Sequence, residues 1–448
     1  MISVKVKKGY DLRIAGAPMP ELSGLEKPTH VALCPERIPF VKPRLKIKKD
    51  DAVSIGSLLF EDKRNPDIGF LSPGAGRISE INFGARRIIR EIVIRLDGTE
   101  DALEFEPFAE EELDGTGRDR LVEALLRRGL WQFFRALPFR DIPSPETSPP
   151  AIWVSIGSLE PFHPIPGVYL RGRESLFRYG VKVLKVIAGG RVMIGAAAAD
   201  RYVRTEFADI LTHTYSGAYP SHDAGVLVYH TKSAPDWNRC WYIDAQQLLL
   251  MAETLKNGVY RTERVVTVAG SMIEKRGHVK TRLGAPVSLL TDGGIGAGTP
   301  RYLAGGVLTG FVTSADGFLG AETSLTVLPK GDDREILALF RPGYDKPSFS
   351  RTFLSSLNPH PMAMDTNRHG GRRACIACNH CTKVCPVDIL PQLTYKAILA
   401  GEIEEALAHG LLDCVECGLC SYVCPSKIEL YQTLKNAKSD YYKEQART

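Results

Sequence analysis

The chain has 448 residues, of which 44% are apolar and 24% are charged, and its formal net charge is +5 at pH 7. This length predicts more than one domain, and the composition is typical of globular proteins that bury a core. The modest charge excludes a nucleic-acid binder that depends on a strongly basic surface, and no run of about 18 apolar residues exists that could span a bilayer.

The first hundred residues indicate β-structure. Residues 40–97 alternate apolar and polar side chains between turn residues, as half-buried strands do. Lys63 follows Glu61 and Asp62 in this region, in the order that lipoyl and biotinyl carrier domains place at a hairpin tip. The segment is longer than such a hairpin and is charged on both sides. We therefore predict a structural barrel over residues 1–100 and no covalent lipoyl group.

Residues 101–149 form a linker with one helix. An acidic run is followed by apolar residues at helical spacing, which predict an amphipathic helix over Arg118–Leu137. The sequence PFRDIPSPETSPP comes next, and its prolines cannot continue a helix.

An α/β domain is predicted over residues 150–258 and a β-rich module over residues 259–332. Buried strands are indicated by AIWVSIG at residues 151–157, VKVLKVIAGG at residues 181–190 and GVLVYH at residues 225–230. Residues 333–448 are predicted to be loop-rich and then helical, with one or two helices over residues 393–411.

Three segments are weighed as ligand sites. Ser155–Pro164 follows a strand, and Asp292–Gly306 is rich in glycine, but neither fits a nucleotide-binding motif. We expect a flexible loop at Asp292–Gly306, no nucleotide at Ser155–Pro164, and no flavin. A histidine and a tyrosine could bind the carbonyl oxygens of a quinone, which makes His213, Tyr215 and His222 candidates. The alternative is that these side chains are satisfied structural residues of the core.

Eight of the ten cysteines fall into two motifs of the form C-x2-C-x2-C-x3-C-P. The first motif holds Cys375, Cys378, Cys381 and Cys385, and the second holds Cys414, Cys417, Cys420 and Cys424. This is the spacing of bacterial two-cluster ferredoxins, in which the fourth cysteine of each motif binds the cluster of the other motif. The sequence thus predicts two [4Fe–4S] clusters, with Cys424 completing the first set and Cys385 completing the second.

Zinc and disulfides explain this pattern less well. Zinc sites pair two C-x2-C knuckles and need neither a third cysteine nor the C-P step in each half. Clustered thiols without a signal peptide indicate a reducing compartment, where disulfides are rare, so we expect a cytoplasmic protein. Cys34 and Cys240 lie outside both motifs and are predicted to be buried thiols without a ligand.

Several further motifs carry a family resemblance. The stretches VKKGYDLRIAGAP, LLFEDKRNPDIGFLSPGAGRISEINFGARR, RGLWQFFRALPF, TERVVTVAG, KTRLGA and FRPGYDK resemble the A subunit of the sodium-translocating NADH:quinone oxidoreductases. The resemblance covers most of residues 1–350. It implies a barrel-sandwich (lipoyl-like) domain, a Rossmann-like domain, a β-grasp-like domain and a helical C-terminal region. It also implies a cytoplasmic subunit docked on membrane-embedded and flavin-bearing partners.

The C-terminal region departs from that family. Residues 371–427 resemble instead the C subunit of the Rnf ferredoxin:NAD oxidoreductase, although its GGAGFPT-type flavin motif is missing. Three hypotheses follow. The chain relays electrons through two clusters in a sodium-pumping NADH:ubiquinone or related ferredoxin-linked complex, or it is a docking subunit with structural clusters, or it is a self-contained NADH dehydrogenase. The absence of nucleotide motifs argues against the third.

Overall fold

The computed structural model describes residues 1–332, 340 and 342–446. The start of the predicted C-terminal domain, residues 333–339, lies outside the described residues, as do 341, 447 and 448.

The first hundred residues hold nine short strands. They are β1 (Ile2–Lys5), β2 (Leu22–Gly24), β3 (His30–Leu33), β4 (Pro43–Leu45), β5 (Ala52–Val53), β6 (Leu58–Asp62), β7 (Asn65–Leu71), β8 (Gly76–Phe83) and β9 (Ile89–Leu96). Strands β3, β9, β8 and β5 form one antiparallel sheet, and β4, β6 and β7 form another. Phe60 and Phe70 stack in the core at a ring-centroid distance of 4.3 Å. The prediction of an all-β region over residues 40–97 is confirmed.

The middle of the chain alternates strands and helices. In chain order these are α1 (Arg118–Arg127), β10 (Arg135–Ala136), β11 (Ile152–Ile156), α2 (Pro166–Tyr169), α3 (Glu174–Ile187), β12 (Val192–Ala197), α4 (Arg201–Glu206), β13 (His213–Ser216), α5 (Ala224–Thr231), β14 (Trp241–Asp244) and α6 (Ala245–Asn257). The sheet order is β1-β13-β12-β11-β14-β10, and all of its pairs are parallel except that of β10 with β14. Because β12 and β14 lie on opposite sides of β11, a crevice opens at the carboxyl ends of β11 and β14.

Two predicted strands are wrong, because both segments are helical. Residues 181–190 fall largely in α3, whose buried residues Phe177, Val181 and Leu184 repeat at helical spacing. The helical period of these buried residues becomes visible only when the pattern is extended back to Phe177, before the predicted strand begins. Residues 225–230 lie in α5, a short apolar run that periodicity alone cannot assign. The informative signal was the N-cap, since Asp223 accepts a hydrogen bond from the Gly225 N–H at 2.8 Å.

The predicted helix over Arg118–Leu137 ends early, at Arg127. Gly129 takes a positive φ of 61°, which turns the chain out of the helix. A 3₁₀ turn at Trp131–Phe133 then leads into β10.

A fourth sheet follows. It is built from β15 (Glu263–Ala269), β16 (Gly277–Arg282), β17 (Pro300–Ala304), β18 (Phe311–Thr313) and β19 (Ser324–Pro329), with the short helix α7 (Val287–Leu290) between β16 and β17. The first two strands of the chain leave the barrel for other sheets, since β1 pairs with β13 and β2 pairs with β16. The predicted domain of residues 1–100 therefore shares its N-terminal segment with both neighbours. The Rossmann-like and β-grasp-like assignments stay predictions.

The C-terminal region is helical. Its helices are α8 (His380–Val384), α9 (Pro391–Ala400), α10 (Ile403–Ala408), α11 (Leu419–Tyr422) and α12 (Leu430–Gln445). Two helices thus occupy residues 393–411, as predicted, and they are divided at Gly401, which has a φ of 80°. None of the helices in the described part of the chain is both long enough and apolar enough to cross a membrane.

The C-terminal helices pack on the α/β domain through a shared apolar core. Trp153, Tyr215 and Leu227 of the α/β domain lie in one buried cluster with Cys385 and Leu434. This packing places the cysteine motifs against the sheet instead of on a detached arm.

Candidate metal centre

The two cysteine motifs fold into loops with matching backbone conformations. Ala377 and Asn379 of the first loop have φ angles of 54° and 60°. At the same two offsets in the second loop, Glu416 and Gly418 have φ angles of 56° and 79°. Non-glycine residues seldom adopt this left-handed conformation, so its recurrence marks one loop design used twice. Alternating right- and left-handed residues form concave arrays of N–H groups of the kind found at many iron–sulfur sites.

The match extends through the rest of each motif. Cys381 is the second residue of α8, and Cys420 is the second residue of α11. After the fourth cysteine and its proline, Asp388 and Lys427 take φ angles of 54° and 55°. All four cysteines of each motif are therefore presented by equivalent backbone.

Cys385 lies close enough to the second motif to influence its thiols. Burial raises the pKa of the Cys385 thiol to about 12, and the neighbouring Cys414 adds to the rise. Cys385 also adds to the burial-driven increases in the pKa values of Cys417 and Cys420. Cys385 of the first motif therefore lies within electrostatic reach of the three leading cysteines of the second.

Two hydrogen bonds join the start of the first motif to the end of the second. The main-chain N–H of Arg373, two residues before Cys375, donates to the carbonyl of Ser426 at 2.8 Å. The Arg373 guanidinium donates to the carbonyl of Pro425 at 2.9 Å. Because Pro425 directly follows Cys424, these bonds hold the start of the first motif against the end of the second.

The donor set has the chemistry that [4Fe–4S] clusters require. All eight motif cysteines are free thiols, so none is lost to a disulfide. Burial raises the pKa values of Cys381, Cys414 and Cys420, which keeps these thiols neutral until iron offsets the cost of a buried thiolate. Within residues 1–332, 340 and 342–446, no group of three or more His, Cys, Asp or Glu side chains is close enough to hold a metal ion. The fit to a cluster thus rests on the donor chemistry and the repeated loop geometry.

The two loops differ in exposure. In the first, Ile376 is 66% exposed, whereas Val415 at the same offset in the second is 7% exposed. The second loop lies between the α/β domain and α12, and its Leu419 is fully buried. The first motif therefore faces the surface and the second faces the body of the protein.

The three predicted quinone residues have partners inside the protein. His213 is buried, its Nδ1 lies 2.8 Å from the Thr212 hydroxyl, and its ring packs on Trp153. The Tyr215 hydroxyl donates to the carbonyl of Ile156 at 3.4 Å. The Nε2 of His222 lies 3.0 Å from the Ser158 hydroxyl, and burial lowers the pKa of His222 to about 4. His213 begins β13, whereas His222 lies beyond its carboxyl end, and the quinone assignment stays a prediction.

A cleft that the sequence analysis did not identify lies at the crevice between β11 and β14. It measures about 300 Å³ and is lined by residues that include Glu160, His163, Asp244, Arg264 and Gly306. Burial raises the pKa of Glu160 to about 7 and lowers the pKa of His163 to about 3. The end of Ser155–Pro164 and the end of Asp292–Gly306 meet here, although neither carries a nucleotide motif. The position of Ser155–Pro164 after a strand was the signal available in the sequence.

Other candidate residues are placed as follows. Cys34 and Cys240 are buried, and burial raises the pKa of each thiol to about 12. Lys63 is exposed at a two-residue turn, since Asp62 pairs with Asn65 across it. The expectation of a longer segment there is wrong, because β6 and β7 run to the edges of the turn.

Four family models match successive parts of the chain. They describe the NqrA N-terminal barrel-sandwich hybrid domain at residues 4–97, the NqrA second alpha/beta domain at residues 116–260, the NQRA C-terminal domain at residues 265–315 and a 4Fe-4S dicluster domain at residues 371–437. The barrel-sandwich domain and the C-terminal dicluster domain are thus confirmed. The likeness of residues 371–427 to the Rnf C subunit stays a prediction.

Similar proteins cover nearly the whole chain. The chain is 33% identical to the A subunit of the Na(+)-translocating NADH-quinone reductase of Yersinia pestis over 92% of both chains, and 32% identical to that of Neisseria meningitidis over the same shares. Two solved structures of an NAD+-reducing [NiFe]-hydrogenase align with TM-scores of 0.34 and 0.35 at 13% and 12% identity, over 50% and 76% of this chain and 51% and 65% of those chains. These scores are too low to support an argument. From its relatives, the chain belongs to the family of A subunits of the Na(+)-translocating NADH-quinone reductases.

Proposed function

We propose that this chain is a peripheral subunit, on the cytoplasmic face of the membrane, of a complex that oxidises NADH, reduces ubiquinone and moves sodium. In this proposal two [4Fe–4S] clusters in its C-terminal domain relay electrons toward quinone. The observation that carries the proposal is a pair of loops with matching backbone, packed so that Cys385 lies near Cys414 and Arg373, before Cys375, is hydrogen-bonded to Ser426, after Cys424. Membrane-embedded and flavin-bearing subunits of the same complex are the expected partners.

The two cluster loops differ in exposure, so we assign different roles in electron transfer to the two clusters. Each [4Fe–4S] cluster supplies one-electron redox chemistry when bound. The first loop, with its exposed Ile376, stands where a partner can approach closely. The second loop is less exposed, with Val415 and Leu419 buried against the rest of the protein, so it is less accessible to a partner. Electron exchange with a partner is therefore assigned to the first loop.

The test is the cofactor content of the chain after anaerobic purification and reconstitution. Two clusters require about eight iron atoms and about eight acid-labile sulfides per chain. A content near half of that, or zinc in place of iron, would refute the two-cluster proposal. Reduction by NADH only when the partner subunits are present supports the family's electron donor, whereas reduction by a ferredoxin alone supports an Rnf-type subunit.

A docking role with structural clusters is the second candidate. It is favoured by the polar contacts that tie the cluster domain to the other domains. The Lys8 ammonium lies 2.6 Å from the Asp388 carboxylate, and the Nε2 of His230 lies 2.9 Å from the carbonyl of Pro386. Replacing Cys417 with serine separates the two roles. Normal assembly with lost quinone reduction supports the relay, and failed assembly supports the structural role.

A further inference from the structure

The second cluster loop is held by three side chains from outside its motif, and each one binds a main-chain carbonyl. The Lys438 ammonium donates to the carbonyl of Cys414 at 2.7 Å. The Arg140 guanidinium donates to the carbonyl of Val415 at 2.9 Å, and the Tyr219 hydroxyl donates to the carbonyl of Cys417 at 2.8 Å. These three residues come from α12, from the loop after β10 and from the loop after β13, so distant parts of the chain meet at one loop.

The charges at this loop are paired. Arg140 binds both carboxylate oxygens of Asp223 at 2.9 Å. Lys438 lies 3.2 Å from the carboxylate of Glu416, a residue of the loop itself, and Lys435 lies 4.0 Å from the same carboxylate. The Lys438 side chain is 3% exposed and that of Glu416 is 14% exposed. Because solvent screens buried charges weakly, a change in either member acts strongly on a charge nearby.

The first loop has no comparable set of contacts. Its Asn379 accepts a hydrogen bond from the Gln392 amide at 3.0 Å, and Gln392 also binds the Thr382 hydroxyl at 2.7 Å. Both partners are neutral and belong to the cluster domain. In the described part of the chain, no side chain from another domain donates to the carbonyls of Cys375, Ile376 or Cys378.

We propose that Arg140, Tyr219 and Lys438 are positioning residues that fix the second cluster loop to the body of the protein. The balance of charge between Lys438 and Glu416 then sets the reduction potential of the second cluster independently of the first. This inference rests on the proposed presence of two clusters. Reduction adds one negative charge to a cluster, so a nearby cation stabilises the reduced form and a nearby carboxylate opposes it.

The test uses two single variants with opposite expected effects. Lys438→Met removes the nearer cation and leaves Glu416 with only Lys435, 4.0 Å away, so it lowers the potential of the second cluster. Glu416→Gln removes the carboxylate and raises that potential. We expect about a tenfold change in the ratio of reduced to oxidised second cluster at fixed ambient potential in each case, which equals about 59 mV for a one-electron couple. The double variant returns close to the parent value.

The measurement is an EPR-monitored redox titration of the full chain, with the second cluster identified as the one whose signal Cys417→Ser removes. Shifts of the same sign in both single variants, or no shift in either, would overturn the charge assignment. For positioning, Tyr219→Phe should speed the loss of the second cluster to a chelator several-fold. Tyr395→Phe, which removes a hydroxyl bound by Arg372 beside the first loop, is its matched control. Equal loss rates in the two variants would overturn the positioning role.

The failure of this inference is distinguishable from failure of the proposed function. Iron and sulfide contents near half of those expected would refute the presence of two clusters. They would remove the basis of both the proposed function and this inference. Full contents with unshifted potentials would leave the relay standing and refute only the role of Lys438 and Glu416.

Discussion

Glu160 in the cleft makes the stability of the protein depend on pH, and Glu160→Gln should remove that dependence. The carboxyl group is buried and accepts hydrogen bonds from the N–H groups of Leu308 and Thr309 at 3.1 and 3.2 Å. Burial outweighs these bonds and raises its pKa from 4.5 to about 7. The glutamine side chain has nearly the same shape, keeps an oxygen that can accept both bonds, and does not titrate.

The sign follows from proton binding. Between the unfolded pKa of 4.5 and the folded pKa of about 7, the folded protein holds the proton and the unfolded chain does not. The free energy of unfolding therefore falls as the pH rises through this window. Since one pKa unit corresponds to about 1.4 kcal/mol, the contribution of Glu160 changes by about 2 kcal/mol between about pH 5.5 and about pH 8.

Urea unfolding of both chains over this pH range is the assay. The titrations of His163 and His222 occur in both proteins and cancel in the difference between them. The variant should gain about 2 kcal/mol relative to the parent as the pH rises. Glu263→Gln is the matched control, because that side chain is 63% exposed, and it should show no such gain. A difference between Glu160→Gln and the parent that stays constant with pH would refute the reasoning.

Three further predictions concern other parts of the chain. If the fourth ligands are exchanged as proposed, Cys385→Ser should perturb the EPR signal of the second cluster and Cys424→Ser that of the first. Asp141→Ala should lower the free energy of unfolding by about 2 kcal/mol in a urea titration, since it removes two charged hydrogen bonds to Arg64 at 2.5 and 3.0 Å and one to α12, while Arg64 keeps its pair with Asp62. Lys63 should carry no lipoyl group by intact-mass measurement, because the neighbouring Arg64 ties its hairpin to Asp141.

Each of these has a result that would contradict it. A Cys385→Ser chain with an altered first cluster and an intact second one would exclude the exchange of ligands. Glu123→Ala is the control for Asp141, because the Glu123 pair with Arg127 is exposed and contributes little. Equal destabilisation by both changes would contradict the importance of the buried pair. A mass increase located at Lys63 would show that the hairpin is recognised by a modifying enzyme.

The sequence predicted the cysteine motifs better than it predicted the α/β domain, and the reason is physical. Motif spacing states directly which residues share a loop, so the pairing of Cys385 with the second motif could be predicted without knowing the fold. Helix α5 is a short apolar run, and burial on all sides erases the period that separates helix from strand. The contacts of Lys438 and Tyr219 with the second loop join residues far apart in the chain, and no local pattern encodes them.

The cleft could not be predicted from local sequence patterns either. Glu160 and Arg264 are brought together by the packing of two domains, and neither segment has a motif of its own. Only the order of the strands, with β12 and β14 on opposite sides of β11, indicates where a crevice forms. That strand order is known only from the three-dimensional sheet. It could not be predicted while two helical segments were wrongly read as strands.

The central claim is that the two clusters carry electrons during turnover, and freeze-quench EPR of the assembled complex tests it most directly. After the complex is mixed with NADH, both cluster signals should appear within one turnover and decline when quinone is added. Cluster signals that stay unchanged during steady quinone reduction, or that appear more slowly than turnover, would contradict it.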